Sequence, residues 1–359
     1  MTDRLTIPQA MELYSHASLH ELGALADAAC RRAHPEAFRT FAIDRNINYT
    51  NVCCSGCRFC AYYVRPESER AFVLDWPTLL AKVDELHRAG GTHVLLQGGL
   101  NPELRFEYHL EMLRQLRAAF PHIGRHAFSP PEIWFFHRQY GLALEDVFER
   151  LIEAGLESIP GGGAEILSDR VRLAISPHKC TSEQWLGVMR LAHQMGLCTT
   201  ATMMFGHVET VQERFEHLCR LRELQDESLS AGKGRFTAFI GWTFQSGSTE
   251  LASHAAEDEM HVAPVEYLRM LAISRLVLDN FANIQASWVT QGPKIGQLAL
   301  FYGANDMGGA MMEENVVAAA GTVFHLSPEE LRQLITSVGH PARQRDHLYR
   351  LIGPKNARA

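Results

Sequence analysis

Short strand-like runs alternate with amphipathic helices about eight times along the 359 residues, and almost every strand-like run ends on glycine or a polar residue. The runs are Phe38 to Asn48, Thr92 to Leu96, Arg125 to Phe128, Ser158-Ile159, Thr199 to Phe205, Phe236 to Phe244, Ile284 to Val289, and a short stretch near Tyr302 to Met307. Such an alternation calls for parallel strands joined by right-handed crossovers. An open doubly wound sheet satisfies it. A closed α/β barrel of the (β/α)8 TIM type is favoured, because a barrel gathers all its strand ends at one face, where active sites form.

The helical segments carry their own punctuation. Leu79, Val83 and Leu86 share one helical face, opened by Asp75 with Pro77 close behind and closed by Gly90. Thr181 with Gln184, and Thr210 with Glu213, read as capping boxes. Gly155 and Gly196 read as helix stops. Residues 1–36 are expected to pack as an N-terminal helical extension, 37–322 to form the barrel, and 323–359 to add a C-terminal helical extension.

With 46% hydrophobic and 21% charged residues, the composition is that of a globular enzyme. A net charge of -7 argues against a broad affinity for nucleic acid. No apolar run is long enough to span a bilayer, and the first residues lack the apolar core of a signal peptide, so a cytoplasmic protein is expected.

Four of the 8 cysteines fall between Cys53 and Cys60. A disulfide framework would spread them more evenly. Cys53, Cys57 and Cys60 form C-x3-C-x2-C, which suits a [4Fe-4S] cluster with three thiolate ligands and one open iron. An open iron can chelate the amino and carboxylate groups of S-adenosylmethionine (SAM). A zinc site, a plain electron-transfer cluster and chance clustering are the alternatives. Zinc and ferredoxin-type sites both want a fourth ligand, and no second C-x2-C pair is present. Cys54 breaks the spacing and reads as a bystander.

With this motif the chain resembles the radical SAM superfamily. Within it, several stretches resemble the cyclic dehypoxanthinyl futalosine synthase family of the futalosine-dependent menaquinone pathway. They are Asp44 to Cys53, His126 to Ile133, Ser158 to Leu167, Thr202 to Thr210, Gln285 to Gly292, and Gly303 to Asp306 with Glu313 to Val317. The resemblance covers residues 38 to 322. One departure is Gly241 before Trp242, where the family more often has proline, and it leaves the end of the sixth strand undefined.

The resemblance implies that a SAM-derived radical takes hydrogen from the ribose of dehypoxanthinyl futalosine, a nucleoside-derived small molecule. The sugar radical then adds to the substrate's own aromatic ring. A low-potential donor such as flavodoxin or ferredoxin would supply electrons. The resemblance also assigns Gln97, Gly98 and Gly99 to the methionine part of SAM and Tyr62 to its adenine. Gly161, Gly162 and Gly163 suit close backbone approach to the cofactor, and Glu165 can accept from ribose hydroxyls or cap the next helix.

His207, Glu209 and Asp306 can each serve as the base that removes the final ring proton, His207 first and Asp306 second, or be ordinary polar loop residues. Met203 and Met204 read as packing. Arg65, Arg70 and Lys294 can meet the substrate carboxylate or lie solvated at the surface. The rival readings are aminofutalosine synthase, in which the SAM radical adds to an enolpyruvyl ether, and a non-catalytic iron-sulfur electron carrier.

Overall fold

In the computed structural model, which describes residues 4–254 and 262–353, ten strands form one parallel sheet. They are β1 (Arg39–Ala42), β2 (Asp44–Ile47), β3 (His93–Leu96), β4 (Gly124–Ala127), β5 (Ser158–Ile159), β6 (Cys198–Phe205), β7 (Phe236–Thr243), β8 (Asn283–Gln285), β9 (Asp306–Gly309) and β10 (Ala342–Gln344). Their order is β10-β1-β9-β8-β7-β6-β5-β4-β3-β2.

The two ends of that order belong to one stretch of chain. β1 and β2 are separated only by Ile43. β1 pairs with β9 and β10, and β2 pairs with β3. The sheet therefore returns on itself as an eight-stave barrel, with β10 added beside β1. The closed barrel, rather than the open sheet, is the outcome.

Side chains alternate across the staves with a period of two. Asp44 and Asn46, His93 and Leu95, His126, Thr200 and Thr202, Ile240 and Trp242, and Gln285 line the lumen. Their neighbours Ile47, Val94, Leu96, Ala201, Met203 and Phe239 are fully buried in the hydrophobic core outside the staves. The segments flanking the helices behave as their punctuation predicts. The Asp75 carboxylate accepts from Thr78 N at 2.8 Å, and both threonine capping boxes form. Gly241 leaves β7 regular, since Met203, Met204 and Phe205 pair in sequence with Gly241, Trp242 and Thr243.

Two expectations change. β8 stops at Gln285, and Trp288–Gln291 turns helical, with the indole Nε1 donating to Gly309 O at 3.1 Å. The tail is not purely helical. After the helix Pro328–Thr336 it adds β10 alongside β1, where the exposed backbone groups of β1 gain ladder partners.

Beyond β10, Arg345 reaches into the barrel and pairs with Asp306 through two hydrogen bonds, at 2.6 and 2.7 Å. Asp306 is fully buried and also accepts from Thr40 Oγ1 at 2.5 Å and Gly308 N at 2.8 Å. It is the first residue of β9, at the N-terminal mouth of the barrel, where residues serve stability. The reading of Asp306 as a general base is corrected accordingly: its oxygens are committed to holding the tail.

Arg345→Met would leave a buried carboxylate without its cation. Breaking such a pair costs about 3–5 kcal/mol, so the melting temperature should fall clearly. The double variant Arg345→Met, Asp306→Asn should recover much of the loss.

Candidate active site

β2 runs directly into the cysteine loop, so the cysteines sit at the C-terminal mouth of the barrel. The loop is tied down on several sides. Bridges join Thr50 to Val73 and Val52 to Val64. Cys54 N donates to Leu100 O at 2.9 Å, and Leu100 N donates to Cys53 Sγ at 3.2 Å. Arg58 N donates to Ile175 O at 2.9 Å, and Cys60 N to Cys57 O at 3.1 Å. A positive φ at Gly56 lets the loop turn back.

Cys57 is buried, Cys53 and Cys60 are partly buried, and Cys54 is exposed. Burial pushes the Cys57 thiol up to about 11, against the pull of the Lys179 charge. Burial also raises the Cys60 thiol, against the backbone N–H groups of Tyr62 and Tyr63. Leu100 N, Lys179 and the Tyr62 and Tyr63 amides thus surround the three sulfurs with the donors and positive charge that a thiolate-bound cluster needs. A zinc ion would require its ligands to converge on one point. No three His, Cys, Asp or Glu side chains converge in that way among the described residues.

The mouth is organised by Glu132, a residue whose role the sequence reading passed over. Its carboxylate is buried and accepts from Tyr49 Oη at 2.7 Å, Gly98 N at 3.0 Å, Ser129 N at 2.7 Å and Ser129 Oγ at 2.7 Å. These donors belong to the ends of β2, β3 and β4. Ser129-Pro130-Pro131-Glu132 has the spacing of a capping box with proline in the first turn, which is the signal that could have found it.

The glycines assigned to cofactor approach are occupied by the protein itself. A Cβ on Gly98 would lie 2.4 Å from the Tyr49 ring, and one on Gly99 would lie 2.1 Å from Val52 O. Gly99 N donates to Thr50 O at 3.0 Å. Gly161 N donates to Thr200 Oγ1 at 2.9 Å, and Gly161 O accepts from Thr202 Oγ1 at 2.6 Å. Gly163 has φ +77° and faces Pro131. These positions are glycine because neighbouring strand ends and the cysteine loop press against them. Gln97, Gly161 and Gly162 do line the lumen, whereas Gly98, Gly99 and Gly163 do not.

Glu165 is not a helix cap; Ser168 holds that place. Glu165 has a left-handed φ of +42°, and its buried carboxylate pairs with Lys179 Nζ at 2.7 Å. Lys179 also lies over the Phe59 ring of the cysteine loop, 5.0 Å from its centroid. Tyr62 is partly buried on the same loop.

His207 stands apart. Its side chain is fully buried, with Nε2 3.0 Å from Met204 O and Nδ1 accepting from Val208 N at 2.8 Å. Glu209 lies 3.0 Å from Nδ1 and pairs with Arg214 at 2.8 Å. The ring braces the turn after β6 and does not line the lumen, so the reading of His207 as a base is also corrected. Arg65, Arg70 and Lys294 are exposed and line no part of the lumen either.

The lumen is a chamber of about 280 Å³ with two unlike walls. On one side stand Asn46, His93, Gln97 and His126, with Gly161 and Gly162. On the staves across from them stand Ile240, Trp242 and Val289, interspersed with Thr200, Thr202 and Gln285, while Val316 and Val317 enter beside Asn46, their amides on the Glu314 carboxylate that Asn46 also binds. The tail supplies its floor through Arg345, His347 and Tyr349.

Residues 47–221 match the radical SAM superfamily, and residues 233–356 match the CofH/MqnC C-terminal region. The cyclic dehypoxanthine futalosine synthase of Halalkalibacterium halodurans is 43% identical over 350 residues, covering 98% of this chain and 92% of that protein. The chain belongs to this radical SAM enzyme family. A cyclic dehypoxanthine futalosine synthase of Streptomyces coelicolor is 40% identical, covering 96% of this chain and 85% of that protein. A 5-amino-6-(D-ribitylamino)uracil–L-tyrosine 4-hydroxyphenyl transferase of Microcystis aeruginosa is 39% identical, covering 86% and 84%. Among solved structures, methylornithine synthase (PylB) superposes with a TM-score of 0.74 at 16% identity, covering 95% of both chains. The hydrogenase maturase HydG of Carboxydothermus hydrogenoformans gives 0.73 at 15% identity, covering 97% of this chain and 78% of that one. Both share the fold of this radical SAM enzyme.

Cys53→Ala, Cys57→Ala and Cys60→Ala should each lose bound iron and sulfide after anaerobic reconstitution, whereas Cys54→Ala should keep the parent content. Iron loss in the Cys54 variant equal to the others would show the ligand set to be wrong. Glu132→Ala orphans buried donors on three strand ends, each costing about 1–3 kcal/mol. Its melting temperature should fall markedly, even though the residue touches none of the cluster cysteines.

Proposed function

We propose that this radical SAM enzyme converts dehypoxanthinyl futalosine to its cyclic product, in line with the cyclic dehypoxanthine futalosine synthases among its relatives. The observation that carries the reading is 43% identity over 98% of the chain to such a synthase. The chamber favours it over the tyrosine transferase relatives. A free amino acid brings an ammonium and a carboxylate that each need a charged partner once buried. In this lumen the Arg345 cation is spent on Asp306, which leaves none for a carboxylate; Glu314 is held by Asn46 Nδ2 and the amides of Val316 and Val317, and Asp44 accepts from Met311 N. A sugar joined to an aromatic ring suits a chamber with one polar and one apolar wall.

With a [4Fe-4S] cluster on Cys53, Cys57 and Cys60 and SAM bound, the pair supplies a 5′-deoxyadenosyl radical. Gln97, Gly161, Gly162, Glu165 and Tyr62 are the residues we assign to SAM. Gln97, Gly161 and Gly162 line the chamber, Tyr62 lies on the cysteine loop, and Glu165 is linked to that loop through Lys179 over the Phe59 ring. Lys179 orients Glu165 and carries positive charge toward the sulfurs. The chamber walls then hold the sugar carbon close to the cofactor, which is a matter of positioning. Ring closure inside the chamber keeps the sugar radical from solvent. The cysteine loop with exposed Cys54 and Arg58 reaches the surface, where a low-potential donor such as flavodoxin or ferredoxin can approach. Among the described residues no helix is long and apolar enough to cross a membrane.

The deciding assay is anaerobic incubation with SAM, dithionite and dehypoxanthinyl futalosine, followed by mass spectrometry. The expected result is 5′-deoxyadenosine together with cyclic product. Product formed only from an enolpyruvyl ether or from tyrosine would overturn the assignment. His207→Gln should lose stability yet keep the parent ratio of product to deoxyadenosine, because its ring lies outside the chamber.

A further inference from the structure

The polar wall of the chamber contains an unfilled hydrogen-bonding pair. Register places Asn46 beside Leu95, and Leu95 beside His126, so the three sit at one height in the barrel. His126 Nδ1 is held by Ser158 Oγ at 2.6 Å from β5. Its Nε2 has no hydrogen-bond partner among the described residues, and the ring lines the chamber. Asn46 donates through Nδ2 to Glu314 at 2.7 Å, which turns Oδ1 the other way. That Oδ1 is buried and without a partner, in a side chain that also lines the chamber and a residue only 3% exposed. A buried acceptor left unmade is costly, and a ligand removes the cost.

We propose that His126 and Asn46 seat a hydroxyl of the substrate's sugar, fixing which end of the substrate enters the chamber first. The proposal rests on the cyclase reading above. A hydroxyl is the group that can accept from an imidazole N–H and donate to an amide oxygen at once. A carboxylate does not fit. Burial holds the His126 and His93 imidazoles neutral, and Asp44 lies one inward position below Asn46. The cation of the floor is already paired, so an anion there would be buried without compensation. The substrate's carboxylate is therefore directed toward the mouth, and its aromatic ring toward Ile240, Trp242 and Val289.

The geometry is compatible with hydrogen abstraction. Gln97 stands two residues above Leu95 on the β3 run, roughly 7 Å higher at the usual rise of a strand. A sugar seated on His126 and Asn46 therefore lies beneath the mouth residues assigned to SAM. Ser158 acts through His126: its hydroxyl holds the ring so that Nε2 faces the chamber.

The test uses the reconstituted enzyme with SAM and no reductant, so that binding is read without turnover. Anaerobic calorimetry should show His126→Phe binding dehypoxanthinyl futalosine about tenfold or more weaker than the parent, the value of one buried hydrogen bond. SAM affinity should stay within about twofold, on the same scale. His126→Gln, which keeps a hydrogen-bonding amide, should recover part of the loss. Among substrate analogues each lacking one sugar hydroxyl, one should bind the parent more weakly yet bind His126→Phe as well as the full substrate does. Unchanged substrate affinity in His126→Phe and in Asn46→Ala would overturn the proposal. Equal loss of SAM and substrate binding in both His126 variants would overturn it too, by showing His126 to be a structural residue. If the parent itself binds no dehypoxanthinyl futalosine and makes no cyclic product, the cyclase reading fails instead.

Discussion

Four hydrogen bonds to the buried carboxylate of Glu132 hold the functional mouth of this barrel together. Tyr49, Gly98 and Ser129 come from the ends of three adjacent staves, and each would be free to splay without a common acceptor. Burial pushes the Glu132 carboxyl up, while the donors pull it back. The Tyr49 ring that donates to Glu132 also blocks the space beside Gly98. Gly99, next along, is pressed against the start of the cysteine loop, and Leu100 N reaches Cys53. The position of the cysteine loop is thus inherited from one carboxylate that touches none of its cysteines.

The opposite mouth depends on a second buried carboxylate with a different partner. Asp306 faces a guanidinium delivered from near the C-terminus, almost forty residues later in the chain. The attachment gives the open end of the barrel a floor and adds β10 beside the stave that closes the sheet. It also explains why the chamber is polar but electrically quiet. Arg345 is paired with Asp306, the Glu314 and Asp44 carboxylates are bound by amide donors, and the histidines His93 and His126 are held neutral by burial. What remains for a substrate is hydrogen bonding on one wall and apolar contact on the other.

The glycine-rich strand ends show how a motif can be legible while its reason is not. Gly98, Gly99 and Gly161 to Gly163 stand where a cofactor is expected, and a Cβ at any of these five positions meets protein atoms at 2.6 Å or less. Close approach is indeed what these positions require. For most of them the approaching group is the protein's own backbone or ring. Lys179 gave no signal in sequence at all, because its pairing with Glu165 joins two loops fourteen residues apart through a left-handed turn.

The barrel and most helix ends were legible because they rest on local rules. Strand and helix periods, capping boxes and C-x3-C-x2-C are all properties of neighbouring residues. The roles of His207 and Asp306 were not legible, because a histidine or aspartate near a strand end reads the same whether its polar atoms are free or spent. Only the closed sheet decided that His207 braces a turn and that Asp306 lies at the far mouth, held by Arg345. The same closure put His126 and Asn46 at one height, each side chain lining the chamber and each with a polar atom that has no partner among the described residues. Sequence determines which side of a strand a residue occupies; which atoms meet across the barrel is set by pairing register and by contacts between residues hundreds of positions apart.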